Sequence, residues 1–127
     1  LYEKRGSAKT FKIVDAGMND LIRPALYEGH HDIVPVKEPS SNETEPVDIV
    51  GPVCESGDFF AADSELPDVQ PGDRIAILSA GAYGFVMASN FNTRRFPTEV
   101  LFDGDKAHVI RPRQSYEEIV ESEVIPK

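Results

Sequence analysis

Val47-Asp48-Ile49-Val50-Gly51-Pro52-Val53-Cys54-Glu55-Ser56-Gly57-Asp58-Phe59-Phe60 reads as a strand running into a tight loop. The apolar lead Val47–Val50 is extended. Gly51 and Pro52 interrupt it, and Gly57 predicts a second sharp bend, because glycine reaches backbone angles that other residues avoid. The loop carries the only cysteine of the chain, Cys54, directly followed by Glu55. A lone cysteine usually behaves as a small buried hydrophobe. Glu55 cannot share such a pocket with it, because an unpaired buried carboxylate is costly. One of the two must therefore face a polar site, and a loop on a rigid scaffold is where binding groups concentrate.

Working outward toward the N-terminus, Thr10-Phe11-Lys12-Ile13-Val14-Asp15 predicts a strand with Phe11 and Ile13 on one face and Lys12 on the other. Gly17 ends it. Asn19 or Asp20 is then placed to cap a short helix through Leu21–Tyr27, with Pro24 tolerated in the first turn. Arg23 and Tyr27 lie four residues apart and share one face of that helix. His30-His31-Asp32 has no matching ligands elsewhere, and adjacent histidines on a strand point to opposite faces, so no metal site is expected. Ile33–Val36 predicts a short edge strand because of Pro35, and residues 37–46 an exposed connection without periodicity.

Toward the C-terminus, residues 63–73 are turn-rich, and Pro71-Gly72 suits a type II turn. Arg74–Leu78 predicts a strand. Tyr83, Met87 and Phe91 recur every four residues, which favours a helix over 85–91. Residues 99–110 predict a hairpin turning at Asp103-Gly104. Ser115-Tyr116-Glu117-Glu118 matches a capping box that opens a last short helix. Short strands separated by turn signals predict a mainly β fold: a small antiparallel sheet or partly closed barrel with a few short helices, as one domain over 1–127.

Three stretches together carry a resemblance: Gly51–Asp58, Asp15–Tyr27, and Ser79-Ala80-Gly81-Ala82-Tyr83-Gly84. In this order they resemble motifs of the diaminopimelate decarboxylases, fold-type III pyridoxal-phosphate enzymes related to ornithine decarboxylase and alanine racemase. The resemblance covers only that family's C-terminal portion. Its (β/α)8 barrel, with the lysine that holds the cofactor covalently, has no counterpart here. The chain opens at Leu1 without an initiator methionine and is read as a piece of a longer protein, expected to be inactive alone.

The resemblance implies decarboxylation of meso-2,6-diaminopimelate to L-lysine and CO2, the last step of lysine biosynthesis. It implies roles for Arg23 and Tyr27 in contacting substrate and for Tyr83 at the cofactor phosphate. It also implies a homodimer in which the loop bearing Cys54 and Glu55 crosses to complete the partner's site. Side-chain chemistry agrees with these roles: Cys54 can donate a proton, Glu55 can meet an ammonium group, and Arg23 can grip a carboxylate through its planar fork. The rivals are a decarboxylase of ornithine, arginine or another basic amino acid, and a non-catalytic homologue acting as a binding partner. The Cys-Glu pair weighs against the first, since the ornithine enzymes typically pair the cysteine with aspartate.

Composition narrows the partners. With 22 acids against 13 bases the net charge is −9, which argues against nucleic acid or an anionic membrane. No run of residues is long and apolar enough to predict a membrane span. One cysteine cannot close an internal disulfide, which fits a reducing, cytoplasmic setting.

Overall fold

Branched side chains at Val47 and Ile49 alternate with Asp48, and this period of two turns one face of the strand inward. In the computed structural model, which describes residues 2–41 and 43–126, the strands are β1 (Tyr2–Arg5), β2 (Thr10–Ile13), β3 (Ile33–Pro35), β4 (Thr44–Val50), β5 (Phe59–Pro67), β6 (Ile75–Ile77), β7 (Glu99–Asp103) and β8 (Lys106–Arg111). Two short helices, α1 (Arg23–Tyr27) and α2 (Tyr116–Val120), complete the elements with single 3-10 turns at Phe85–Met87 and Phe91–Thr93. Among the described residues no helix is long and apolar enough to cross a membrane. The mainly β expectation holds. Residues 1–88 and 89–127 form two compact units.

In the first unit, one sheet has the order β1-β2-β4-β5, and β3 pairs with β6 in a second. The sheet is not wholly antiparallel as expected: β2 and β4 run parallel, with Phe11 opposite Asp48 and Ile13 opposite Val50. Val47, Ile49, Phe60, Leu66 and Leu21 form the buried core, with Ile33, Ile75 and Ile77 of the second sheet packed against it. Fully burying each such apolar side chain contributes roughly 1.5–3 kcal/mol. Lys12 is buried too. Its ammonium is satisfied by the Glu3 carboxylate and, at 3.1 Å, by the Val69 carbonyl, as a buried charge requires.

Several local expectations change under tertiary packing. β4 starts at Thr44, so it absorbs the last three residues of the predicted 37–46 connection; residue 42 of that stretch lies outside the described residues. β5 runs on to Pro67 through residues read as turn. It does so by bulging: the β4–β5 register shifts between Val47 and Ile49, and Asp63 adopts a positive φ of 49°. Pro71-Gly72 does make the turn, with Gly72 at φ 98° and the Asp73 N–H donating to the Gln70 carbonyl at 2.9 Å. The predicted helix over 85–91 is absent. Ala88 is already extended at ψ 156°, so the first 3-10 turn stops and the four-residue spacing is never used.

The second unit is built on the predicted hairpin of β7 and β8, whose turn places Gly104 at φ 61°. α2 opens on the full capping box: the Glu118 N–H donates to the Ser115 hydroxyl, and the Ser115 N–H donates to the Glu118 carboxylate. The Gln114 side-chain oxygen accepts from the Asn90 amide at 2.6 Å and the Phe96 N–H at 3.1 Å, which pins the segment before α2.

Candidate active site

The loop between β4 and β5 is organised by Asp58, which is buried. One carboxylate oxygen accepts from the Met18 N–H and the other from the Val53 N–H, both at 2.6 Å. The backbone closes over the same residue, since the Gly51 N–H donates to the Asp58 carbonyl at 2.9 Å. A side chain at position 51 would overlap that carboxylate. Glycine is needed here for close approach, not for a left-handed turn; neither Gly51 nor Gly57 has a positive φ. Bonds from Glu55 N–H to Val53 and from Asp58 N–H to the Glu55 carbonyl fold the tip. Cys54 and Glu55 are both exposed on it. The Glu55 carboxylate turns back to accept from the Gly57 N–H at 3.3 Å.

α1 presents Arg23. The expected cap by Asn19 or Asp20 does not form: the helix begins after Ile22 without a side-chain cap. Asp20 accepts from the Gly17 N–H at 2.8 Å instead, closing the turn before the helix. Pro24 does occupy the first turn. The helix stops at Glu28, which is left-handed at φ 55° and donates its N–H to the Arg23 carbonyl. Gly29 also donates to that carbonyl at 3.2 Å.

The Arg23 guanidinium is held from two sides. Its carbon lies 5.4 Å from the centre of the Tyr83 ring, within cation–π range. Its Nη1 lies 3.3 Å from Nε2 of His31. His31 is buried and its Nδ1 is 2.9 Å from the Leu78 carbonyl. A carbonyl only accepts and a guanidinium only donates, so Nδ1 carries the proton and Nε2 accepts from Arg23. The two neighbouring histidines part company, His30 being exposed beside Asp32, although both precede β3 and neither lies on a strand as expected. Among the described residues no three His, Cys, Asp or Glu side chains are grouped to hold a metal ion.

The three sequence motifs abut. A Cβ at Gly57 would stand 3.4 Å from Met18 Cε and 3.7 Å from Ala25 Cβ, so the Cys54 loop packs on α1 and the segment before it. Gly84 is buried, with a Cβ there 4.0 Å from the Asp20 carbonyl. Of the five predicted site residues, Arg23 and Tyr83 are brought together. Tyr27 is exposed on α1, and Cys54 and Glu55 stand on their own loop. A groove of about 650 Å3 between His31–Val34 and Phe59–Glu65 includes none of the five. Asp58 and His31 hold this arrangement; Asp58 was not singled out from sequence, and His31 was weighed there only as a metal ligand. Asp58 had a signal in its place within the glycine-flanked loop; the partners of His31, by contrast, are visible only in three dimensions.

Residues 1–81 match the family model of the pyridoxal-dependent decarboxylase C-terminal sheet domain. The chain is 51% identical over 118 residues to the diaminopimelate decarboxylase of Aquifex aeolicus, covering 93% of this chain and 28% of that protein. With the Pseudomonas aeruginosa enzyme of the same name it shares 49% identity over 122 residues, 96% of this chain and 29% of that one. The fold superposes on the diaminopimelate decarboxylase of Helicobacter pylori, solved with L-lysine, at a TM-score of 0.86 and 49% identity over 95% of this chain and 29% of that chain. It superposes on the M. jannaschii enzyme, also solved with L-lysine, at 0.91 and 41% identity over 98% of this chain and 28% of that chain. The chain thus spans less than a third of the length of these relatives. It belongs to the pyridoxal-dependent decarboxylase C-terminal sheet domain family.

Proposed function

We propose that this chain is the C-terminal portion of a pyridoxal-phosphate-dependent decarboxylase that converts meso-2,6-diaminopimelate to L-lysine and CO2. The observation that carries the proposal is the placement of Arg23 beside Tyr83, within a chain about half identical to diaminopimelate decarboxylases over nearly all its length. Diaminopimelate bears an amino-acid group at each end. Arg23 suits the carboxylate of the end that does not react, because its fork offers parallel N–H donors. Tyr27 adds a hydroxyl, and Glu55 a carboxylate for the ammonium group at that same end. Cys54 is the proton donor to the reacting carbon.

The residues fit the cofactor where this chain would touch it: the exposed Tyr83 phenol offers a hydroxyl donor to a phosphate oxygen. Pyridoxal phosphate, when bound, supplies the electron sink for the charge left behind as CO2 departs. The covalent lysine belongs to the rest of the enzyme. The test is CO2 release by the full-length protein with pyridoxal phosphate, comparing diaminopimelate, ornithine, arginine and lysine. Diaminopimelate is expected to be turned over in strong preference. A preference for ornithine or arginine would move the protein to the neighbouring specificity, and no turnover of any of the four would make it a non-catalytic homologue.

A further inference from the structure

We infer that His31 is a positioning residue for substrate recognition: its neutral ring fixes the Arg23 guanidinium in the orientation that receives a substrate carboxylate. This rests on the proposed role of Arg23. The observations concern His31 itself. It is 3% exposed, yet it lies in neither the Cys54 loop nor α1. Its Nδ1 is tied to the Leu78 carbonyl at 2.9 Å, just past the end of β6. That bond fixes both the tautomer and the plane of the ring, and leaves a bare Nε2 facing Arg23 Nη1 at 3.3 Å. A long arginine side chain loses considerable rotamer freedom when it is held in one pose. Here part of that loss is met before substrate arrives, because His31 engages Nη1 while the guanidinium lies over the Tyr83 ring. The remaining N–H groups are left aimed for a planar anion.

The geometry makes two substitutions behave differently. The amide of asparagine falls near Nδ1 of a histidine and can keep the bond to Leu78, while losing the acceptor for Arg23. The amide of glutamine reaches the position of Nε2 and can present an oxygen to Arg23. In the full-length enzyme, His31→Asn is expected to raise KM for diaminopimelate about tenfold or more, the scale of one hydrogen bond to a charged group, with kcat changed less than about threefold. Binding of L-lysine, which also carries a carboxylate, should weaken by a similar factor in calorimetry. His31→Gln should restore most of both. In an Arg23→Ala background, His31→Asn should add no further loss, because the residue it acts through is gone.

The controls separate the two levels of inference. If Arg23→Ala leaves KM and L-lysine binding unchanged, the substrate-binding role of Arg23 fails. If Arg23→Ala weakens both while folded His31→Asn weakens neither, the positioning role fails and the role of Arg23 stands. Equal losses in the Asn and Gln variants, or additive losses in the double variant, would make His31 structural only. Should the variants not fold, histidine-ring nitrogen NMR of the unmodified enzyme decides. A proton on Nδ1 and a bare Nε2 support the inference, and a proton on Nε2 overturns it.

Discussion

Arg23 is engaged twice before any ligand arrives: its Nη1 meets His31 and its guanidinium lies over the Tyr83 ring. This is why lysine is not a conservative replacement there. An ammonium keeps the charge, but it has no planar fork of donors to share between His31 and a carboxylate. Arg23→Lys in the full-length enzyme is therefore expected to raise KM for diaminopimelate at least tenfold. Arg23→Ala should cost about 2–5 kcal/mol in kcat/KM, as when one member of a desolvated charge pair is removed. Steady-state kinetics of both variants check this, and an unaltered kcat/KM in either would place Arg23 outside the substrate site. Asp58 works by the same logic on the opposite motif. Its two oxygens hold the Val53 N–H within its own loop and the Met18 N–H forty positions away in sequence, so the loop bearing Cys54 is shaped by a residue that does not itself reach out.

At the scale of elements, the bulge between β4 and β5 shows charge and backbone geometry acting together. Asp63 sits at a positive φ, and its N–H donates to Asp48 at 2.8 Å. Lys9 bridges Asp48 at 3.0 Å and Asp63 at 3.2 Å. Partial burial pushes the Asp48 carboxyl up, but the Asp63 N–H and the Lys9 ammonium outweigh it and hold the group below its ordinary value of 3.8. A carboxyl whose folded value is depressed stabilises above its unfolded value and loses that stabilisation as pH falls through the folded one. Asp48→Asn is thus expected to lower stability by about 1.5–3 kcal/mol at neutral pH, the range for a hydrogen bond to a charged group. The gap to the unmodified chain should stay level down to about pH 5 and close toward pH 3. Denaturant titrations across that range check it, and a gap constant from pH 7 to pH 3 would remove Asp48 as its source.

The same elements show what was legible beforehand. The strand through Phe11 and Ile13, the Pro71-Gly72 turn, the hairpin at Gly104 and the capping box at Ser115 are written in neighbouring residues and came through. The parallel pairing of β2 with β4, the extension of β5 past Asp63 and the 3-10 turn at Phe85–Met87 were not. The first two depend on partners far along the chain, where packing overrides local propensity; the third stops where Ala88 turns extended. The candidate site divides in the same way. Cys54, Glu55, Arg23, Tyr27 and Tyr83 stood out by residue type and motif. Their supports did not, because His31 meets Leu78 across forty-seven positions and Asp58 meets Met18 across forty.

At the scale of the whole molecule, the exposure of Cys54 and Glu55 bears on which site they serve. Arg23 and Tyr83 meet within one chain, whereas Cys54 and Glu55 stand exposed on a loop braced from within by Asp58 and by the bonds of Glu55 to Val53, Gly57 and Asp58. A loop so braced is suited to completing a site on another subunit, and we propose that the enzyme is a homodimer with shared sites. Complementation tests this. One full-length variant lacks the cofactor-binding lysine of the rest of the enzyme, and the other carries Cys54→Ala with Glu55→Ala; each should be nearly inactive. After subunit exchange, a mixed dimer holds one site with both an intact lysine and an intact loop. Random reassortment makes half the dimers mixed, so activity should return to about a quarter of the unmodified level per subunit. Co-purification of differently tagged subunits establishes that exchange has occurred. Exchange without recovery would mean that the loop serves its own chain, and its exposure would then need a different partner.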